Sequence, residues 1–352
     1  MSRIDRKNEK DKDKAKRRKK KKKKTSKIIL ILLILLISIP LITAFALLNK
    51  LNSAVDETTY KSQYEKVDGI TNILLLGTDG RPGEKAFRTD SMIIATIDSN
   101  NKNIKLTSLA RDTYVDIPGK GKGKLNAAFA YGREDLLFQT IEENFQISLD
   151  KYVRVNFDGL MNIVFLLGGV EVDVKQHEIS LLNAYAKESY DECTYPNKGS
   201  FKTVTSTGVQ RLNGYQAIAY SRIRKSDSAI NRDERQREVI LSMVDGVKSM
   251  NITKFPQLLN TLLPYVSTNL DVAEMIKLAT TVFSNGSLNN MKQAEYPIID
   301  NVHVKGGIYK NAGWVWLYDL NSRVVLQDFI YKDINMEDNE YLLDNSNIQL
   351  NY

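Results

Sequence analysis

Asn72-Ile73-Leu74-Leu75-Leu76-Gly77-Thr78-Asp79-Gly80-Arg81 is the stretch that decides the fold. A short, unbroken apolar run bounded by glycine predicts a strand buried on both faces, because a half-buried strand would alternate. Gly77 ends the run, so Asp79 and Arg81 are predicted at the strand's carboxyl end. In open α/β sheets the ligand crevice lies just outside such ends. The competing reading is a plain turn in which Asp79 caps its own backbone.

Working outward, Ser91–Ile97 and Asn103–Leu109 read as two further strands, and Gly119–Gly123 as a loop. Apolar spacing predicts helices over Leu125–Tyr131 and Glu134–Phe145, and Tyr152–Val155 reads as a strand. Asp158–Leu167 repeats at three and four, Gly168-Gly169 stops it, and Val170–Val174 alternates as a strand. Ser180–Thr207 shows no period and reads as a surface excursion. Helices are predicted at Leu212–Ser221, Arg232–Met250, Ile252–Tyr265 and Asp271–Phe283. The last segment, Trp314, Trp316 and Tyr318 followed by Val324–Ile330, reads as a final helix, with an acidic, loosely held end after Asp333. Strands alternating with helices define an α/β layered domain.

The N-terminus follows different physics. Ile28–Leu48 is 21 residues without a charge, 16 of them Leu, Ile or Phe. As a helix it is about 31 Å long, the thickness of a bilayer core. Met1–Lys27 carries 16 Lys or Arg against 4 Asp or Glu, a net +12. Such a tail resists translocation and stays cytoplasmic, which puts the rest of the chain outside. The whole chain is +8, so residues 28–352 sum to −4 and the high pI belongs to the tail. Topology and attraction to anionic lipid account for the tail without nucleic acid. Ala44-Phe45-Ala46 has the form of a signal cleavage site, but it lies in an apolar run too long for a signal core, which favours a retained anchor. The expected organisation is a basic tail (1–27), a transmembrane helix (28–48), a stalk (49–69), an extracytoplasmic domain (70–335) and a loosely ordered end (336–352). The one cysteine, Cys193, excludes an intrachain disulfide, and two histidines, His177 and His303, argue against a histidine-rich zinc site.

Charge at strand ends marks the candidate chemistry. Arg88-Thr89-Asp90-Ser91 leads into an apolar strand, and Ser108-Leu109-Ala110-Arg111-Asp112 ends one. Asp79 and Asp90, from adjacent strand ends, could hold one hard cation, with Mg²⁺ the default where phosphate completes its shell. The alternative for Arg88 and Asp90 is a surface pair of little energy. Downstream, Arg222 and Arg224 point the same way if the chain is extended. Arg232, Arg235 and Gln236 share a helix face by spacing. Guanidiniums about 7 Å apart repel by roughly 2–3 kcal/mol at an effective dielectric of 20, so clustered arginines want an anion. Asp227, Asp233, Glu234 and Glu238 could supply it as a charged helix face; arginine forks suit phosphate, and two separate arginine segments rather than one stripe tilt the reading that way.

The ordered set G-T-D-G-R, R-T-D-S-M, S-L-A-R-D-T-Y-V-D-I-P-G, K-L-N-A-A-F-A-Y-G, L-G-G-V-E-V-D-V, L-N-G-Y-Q-A-I-A-Y-S-R-I-R-K and N-R-D-E-R-Q-R, from Ile73 to about Met250, resembles the LytR-CpsA-Psr family. The resemblance implies Mg²⁺-dependent enzymes that move anionic glycopolymers from a polyprenyl pyrophosphate carrier onto peptidoglycan. It assigns Asp79 and Asp90 to Mg²⁺, and Arg88, Arg111, Arg222, Arg224, Arg232 and Gln236 to the pyrophosphate. Asp90 and Arg111 are the catalytic candidates. Ala110, Ser221 and Asn231 depart from the family pattern without removing a charge. Phe129, Leu136, Leu137, Phe138, Ile141, Ile163, Val164 and Leu167 are candidates for an apolar lipid tunnel or for plain core. Pattern and resemblance together set the expected fold: a layered α-β-α domain with a central mixed sheet, after one transmembrane helix. The expected partners are the lipid-linked glycopolymer, peptidoglycan and membrane lipid, with no nucleic acid. The rival reading is a non-catalytic, membrane-anchored binder of prenyl phosphates, or a regulator.

Overall fold

A strand with apolar side chains on both sides needs neighbours on both edges and a layer on each face, and β2 (Thr89–Asp98) has them, with every residue from Met92 to Asp98 buried. β1 (Ile70–Thr78) pairs antiparallel with it, and β3 (Asn103–Leu109) does so on its other edge. This computed structural model describes residues 60–78, 89–193, 195–223, 229–250, 260–261, 263–284, 286–300, 302–343 and 348–352. The basic tail, the anchor expected at 28–48 and most of the helix expected over Ile252–Tyr265 lie outside them. Among the described residues no helix is long and apolar enough to cross a membrane.

The sheet has six strands in the order β10-β3-β2-β1-β6-β9. β6 (Tyr152–Asn156) lies parallel to β1, and β10 (Met291–Tyr296) lies parallel to β3. β9 (Val266–Thr268) closes the far edge antiparallel to β6. The sheet is therefore mixed, as expected. Its even-numbered residues Leu74, Leu76, Met92 and Ile94 meet α1 (Leu125–Phe145) and α7 (Arg323–Lys332). The odd-numbered Ile73, Ile93, Ala95 and Ile97 meet α5 (Ala229–Ser249) and α6 (Val272–Ser284). The period of two thus makes three layers, with each buried Leu or Ile contributing about 1.5–3 kcal/mol.

A second apolar cluster sits beside the sheet. α2 (Phe157–Leu167), the hairpin of β7 (Val170–Val174) and β8 (Gly208–Leu212), α3 (Ile179–Glu192) and α4 (Gly214–Arg222) build it. Asn156 caps α2 by accepting from the Gly159 N–H, and Gly168, at φ +79°, ends it in the left-handed conformation that glycine adopts without strain. α3 corrects the surface excursion expected over Ser180–Thr207: Leu182, Ala186 and Ser189 are buried at helical spacing, but two of the three are too small or polar to register as an apolar stripe. Leu212 belongs to β8 rather than to a helix, and α4 starts two residues later behind a capping box between Asn213 and Gln216.

Two small hairpins complete the described chain. β5 (Gly121–Lys124) takes up part of the loop expected over Gly119–Gly123 and pairs with β4 (Tyr114–Ile117). β11 (Val304–Ile308) and β12 (Trp314–Tyr318) correct the helix expected there, and only Arg323–Lys332 is helical. The polar segment assigned to the stalk is tied down from Tyr60: the buried Glu142 carboxylate accepts from Tyr60 Oη (2.6 Å), Ser62 Oγ (2.5 Å) and the Gln63 N–H (3.0 Å). The acidic end also makes defined contacts, with Met336 and Asn351 buried and Leu350 bridging Asp319.

Candidate functional site

One end of the sheet collects the carboxyl ends of β1, β3, β6 and β10 and the start of β2. At β3 the chain turns sharply after Leu109. The Ala110 N–H donates to the Tyr296 carbonyl at 2.9 Å, and Thr113 returns to the Ala110 carbonyl through both its N–H and its hydroxyl. This turn holds Arg111 and Asp112 at the sheet's edge. The Asn126 N–H, at the start of α1, donates to the Arg111 carbonyl at 3.2 Å. The backbone of Arg111 is therefore fixed from two sides while its side chain remains about a fifth exposed.

Arg111 Nη1 donates to Asp90 Oδ1 at 2.7 Å, and its Nε approaches Asp112 Oδ2 at 3.3 Å. Lys124 Nζ, from the end of β5, takes the other Asp112 oxygen at 2.8 Å. Two carboxylates and two cations thus form one chain, Asp90-Arg111-Asp112-Lys124, which fixes the guanidinium plane.

α5 roofs the same end. Arg232 is buried and places Nε and Nη2 at 2.9 and 2.6 Å from Asp233 Oδ1. Burial pushes the Asp233 carboxyl above the usual carboxylate range, against the pull of Arg232, Arg237 and Arg111. Glu295, on β10, is pushed up to about 8 by burial first and by the Asp233 charge second. Arg237 is also buried, and its Nη1 lies 3.9 Å from Glu295 Oε2, an ion pair beyond hydrogen-bonding reach. Among the described residues Arg237 Nε and Nη1 and the hydroxyls of Thr89 and Ser108 are buried without a hydrogen-bond partner. Ser108 stands beside Glu295 in the β3–β10 register. Unmatched donors at a sheet's carboxyl end suit an anion with several oxygens.

The structure therefore brings together Asp90, Arg111 and Arg232 of the expected site. Gln236 lies one turn beyond Arg232 on α5, partly buried. Arg222 ends a helix rather than an extended segment. Its guanidinium lies over Phe157 and Tyr185 at 5.6 and 5.8 Å and approaches Ser189 and Glu188 at 3.4 and 3.7 Å, so its described contacts are with α2 and α3. Arg235 turns away to Glu178 (2.6 Å) and the Ile223 carbonyl (3.1 Å). Asp79, Arg88 and Arg224 lie outside the described residues. Phe129, Leu137, Phe138 and Ile141 are fully buried in the core under α1, with Leu136 packed against them, whereas Val164 belongs to the second cluster. Ile163 and Leu167 are partly buried on α2. Sequence reading missed Arg237 and Glu295. Nothing local marks Glu295, because Met291–Tyr296 carries no apolar period to announce a strand.

Fold and site together define a layered α/β domain with a cluster of arginines and carboxylates at one end of a mixed sheet. The chain belongs to the LytR_cpsA_psr family, whose model matches residues 41–322. It is 34% identical over 241 residues to polyisoprenyl-teichoic acid--peptidoglycan teichoic acid transferase TagU of Oceanobacillus iheyensis, covering 66% of this chain and 68% of that one. It is 32% identical over 257 residues to the TagT transferase of Bacillus subtilis, covering 72% of each. A solved TagT (YwtF) structure with bound octaprenyl pyrophosphate lipid aligns with a TM-score of 0.56 at 25% identity, over 78% of this chain and 95% of that one.

Proposed function

We propose that this chain transfers an anionic glycopolymer, of teichoic acid or capsule type, from a polyprenyl pyrophosphate carrier to peptidoglycan. Residues 28–48 hold it in the membrane with its N-terminus in the cytoplasm and its domain on the outer side. The single observation that carries the reading is Arg111, fixed between Asp90 and Asp112 within electrostatic reach of the Asp233 that Arg232 holds, in a chain that resembles named teichoic acid transferases.

In this reaction a hydroxyl oxygen of the acceptor sugar attacks the phosphorus nearest the glycopolymer. The bond from that phosphorus to the bridging oxygen breaks, polyprenyl phosphate departs, and the hydroxyl proton is lost. Charge builds on the phosphoryl oxygens and on the leaving phosphate, so fixed cations aimed there lower the barrier. Arg111 supplies one such cation, and its bonds to Asp90 and Asp112 hold it before substrate arrives. Arg88, Arg222, Arg224, Arg232 and Gln236 are assigned to the pyrophosphate. Asp90 is assigned to accept the hydroxyl proton.

Asp90, the described member of the pair assigned to Mg²⁺, is a partly exposed carboxylate of the kind that ion takes. That ion keeps several waters and takes one or two carboxylates beside substrate phosphates. Among the described residues no group of three or more His, Cys, Asp or Glu could form an all-protein metal cage. Asp79 and Asp90 would hold it, and when bound it supplies charge neutralisation at the phosphates.

The test is transfer of a labelled, polyprenyl pyrophosphate-linked polymer to purified peptidoglycan. Arg111→Ala and Asp90→Asn should each reduce the rate by about 100-fold or more, the scale of losing one fixed transition-state donor. Unchanged transfer in both would remove the assignment. A reporter fused at Tyr352 that is active only in the cytoplasm would overturn the topology.

A further inference from the structure

The β11–β12 hairpin lies outside the main sheet and carries the chain's only two tryptophans, Trp314 and Trp316. In its register Gly306 faces Trp316 and Ile308 faces Trp314, so these four positions share one side of the hairpin. A side chain on Gly306 would lie 2.7 Å from Trp316 Cζ3 and 2.8 Å from Trp314 Cζ2: the indoles lie across the space that glycine leaves. They meet edge to face, with centroids 4.6 Å apart. The other side of the hairpin buries Val315 and Leu317 against Tyr114. Trp316 is partly buried against the main core, whereas Trp314 is 41% exposed and Ile308 83% exposed. The result is a rigidly backed, outward-facing aromatic surface, the kind that marks a binding face.

This surface is continuous with the site. The Trp316 N–H donates to the Asp112 carbonyl at 3.0 Å, and Thr113 bridges Trp316. The same turn carries Arg111. The chain enters the domain at Tyr60, docked on Glu142 at the other end of the sheet, near Ser148 and the first residues of β1. The hairpin is thus at the reacting end and away from the tethered end. The C–H face of a pyranose ring is apolar and slightly positive, and it stacks on the negative face of an indole.

We propose that the Trp314–Trp316 face seats the acceptor, stacking N-acetylhexosamine rings of a peptidoglycan glycan strand so that a sugar hydroxyl reaches the Arg111 end of the sheet. This rests on the transfer reading above, because a glycan must approach the phosphate from somewhere, and the hairpin is the exposed aromatic surface joined to that turn.

The test exploits the two tryptophans, whose emission reports this face alone. The full-length chain in phosphatidylcholine nanodiscs is titrated with tetra-N-acetylchitotetraose, followed by Trp emission. A saturable change is expected. Trp314→Ala should weaken it by about tenfold or more, whereas Trp314→Phe should retain most of it. Gly306→Ala, which disturbs both indoles without removing either, should weaken it too. Affinity for a short prenyl pyrophosphate should stay unchanged in Trp314→Ala, since that residue touches no part of the phosphate site. No saturable change with the glycan, or a change that Trp314→Ala preserves, overturns the proposal. Quenching by brominated phospholipids in the disc also overturns it, by making the face a bilayer contact. Glycan binding that survives while transfer by the wild-type chain is absent would sink the transfer reading and leave the sugar site standing.

Discussion

The two ends of the central sheet both bury charge, and they treat it in opposite ways. At the tethered end Lys105 is fully buried, and its ammonium donates to Asp98 (2.8 Å) and the Ile330 carbonyl (2.9 Å) and pairs with Asp333 (3.2 Å). Asn101 completes Asp98, and Lys292 completes Asp333. Positive and negative groups interleave, and both carboxylate oxygens of Asp98 and of Asp333 find a short donor. At the reacting end Arg232, Arg237 and Arg111 crowd around Asp233 and Glu295, with burial pushing both carboxyls upward and Arg237 donors left over. A closed network stabilises a fold; a network with surplus donors stabilises a ligand.

The largest expected effect breaks the closed end. Lys105→Met leaves Asp98 buried without its cation and should cost about 3–5 kcal/mol, read from urea unfolding. A loss under 1 kcal/mol would mean that this end is no more tightly built than the other.

The pH dependence of stability should separate the ends by sign. Burial raises the Asp98 carboxyl, but hydrogen bonds from Asn101 and Lys105 outweigh it and hold the group below its ordinary value; Asp333 is lowered in the same way, by Lys292, Asn103 and Lys105. For a depressed carboxylate the unfolded chain binds the proton more readily, so stability is present above the unfolded value and is lost as pH falls below 4. Glu295 runs the other way. Its folded value of about 8 means that the folded chain holds the proton. Its contribution is complete below the unfolded value, near 4.3, and is lost as pH rises from there through 8. Glu295→Gln should therefore recover about 1–3 kcal/mol at pH 8 to 9, relative to its effect at pH 5. Parallel stability curves for wild type and variant across that range would show that Glu295 is already ionised in the fold.

A smaller effect is expected where the chain enters the domain. Glu142→Ala removes the acceptor of Tyr60, Ser62, the Gln63 N–H and the Leu149 N–H. Hydrogen exchange at residues 62 to 64 should then quicken by about tenfold, the equivalent of 1–2 kcal/mol of local opening, while the central strands keep their protection.

Much of this contrast was legible in the sequence at the reacting end and little of it at the tethered end. β1, β2 and β3 are short apolar runs closed by charge, so their identity as strands and the placement of Asp90 and Arg111 followed from pattern. Gly132 and Arg133 separate the two helices that the apolar spacing predicts, and the α1 backbone kinks there. β10 was illegible because Met-Lys-Gln-Ala-Glu-Tyr has no apolar period, and an edge strand paired on one side needs none. Glu295 and the β3 contact of α5 were hidden with it. Lys105 reads as the solvent side of an alternating strand, and only the return of α7, 225 residues later, buries it. Long-range pairing of this kind leaves no local trace.

The proposed transfer requires the arginine end of the sheet, where Arg237 keeps unmatched donors, to grip a pyrophosphate. The direct measurement is calorimetric affinity of the full-length chain for a short prenyl pyrophosphate, compared across wild type, Arg111→Ala and Lys105→Met at a temperature where all three are folded. Arg111→Ala should weaken binding by about 10- to 100-fold, the loss of a charge-assisted contact of about 1.5–3 kcal/mol, and Lys105→Met should leave it unchanged. Equal affinity in wild type and Arg111→Ala, or a loss confined to Lys105→Met, would contradict the account.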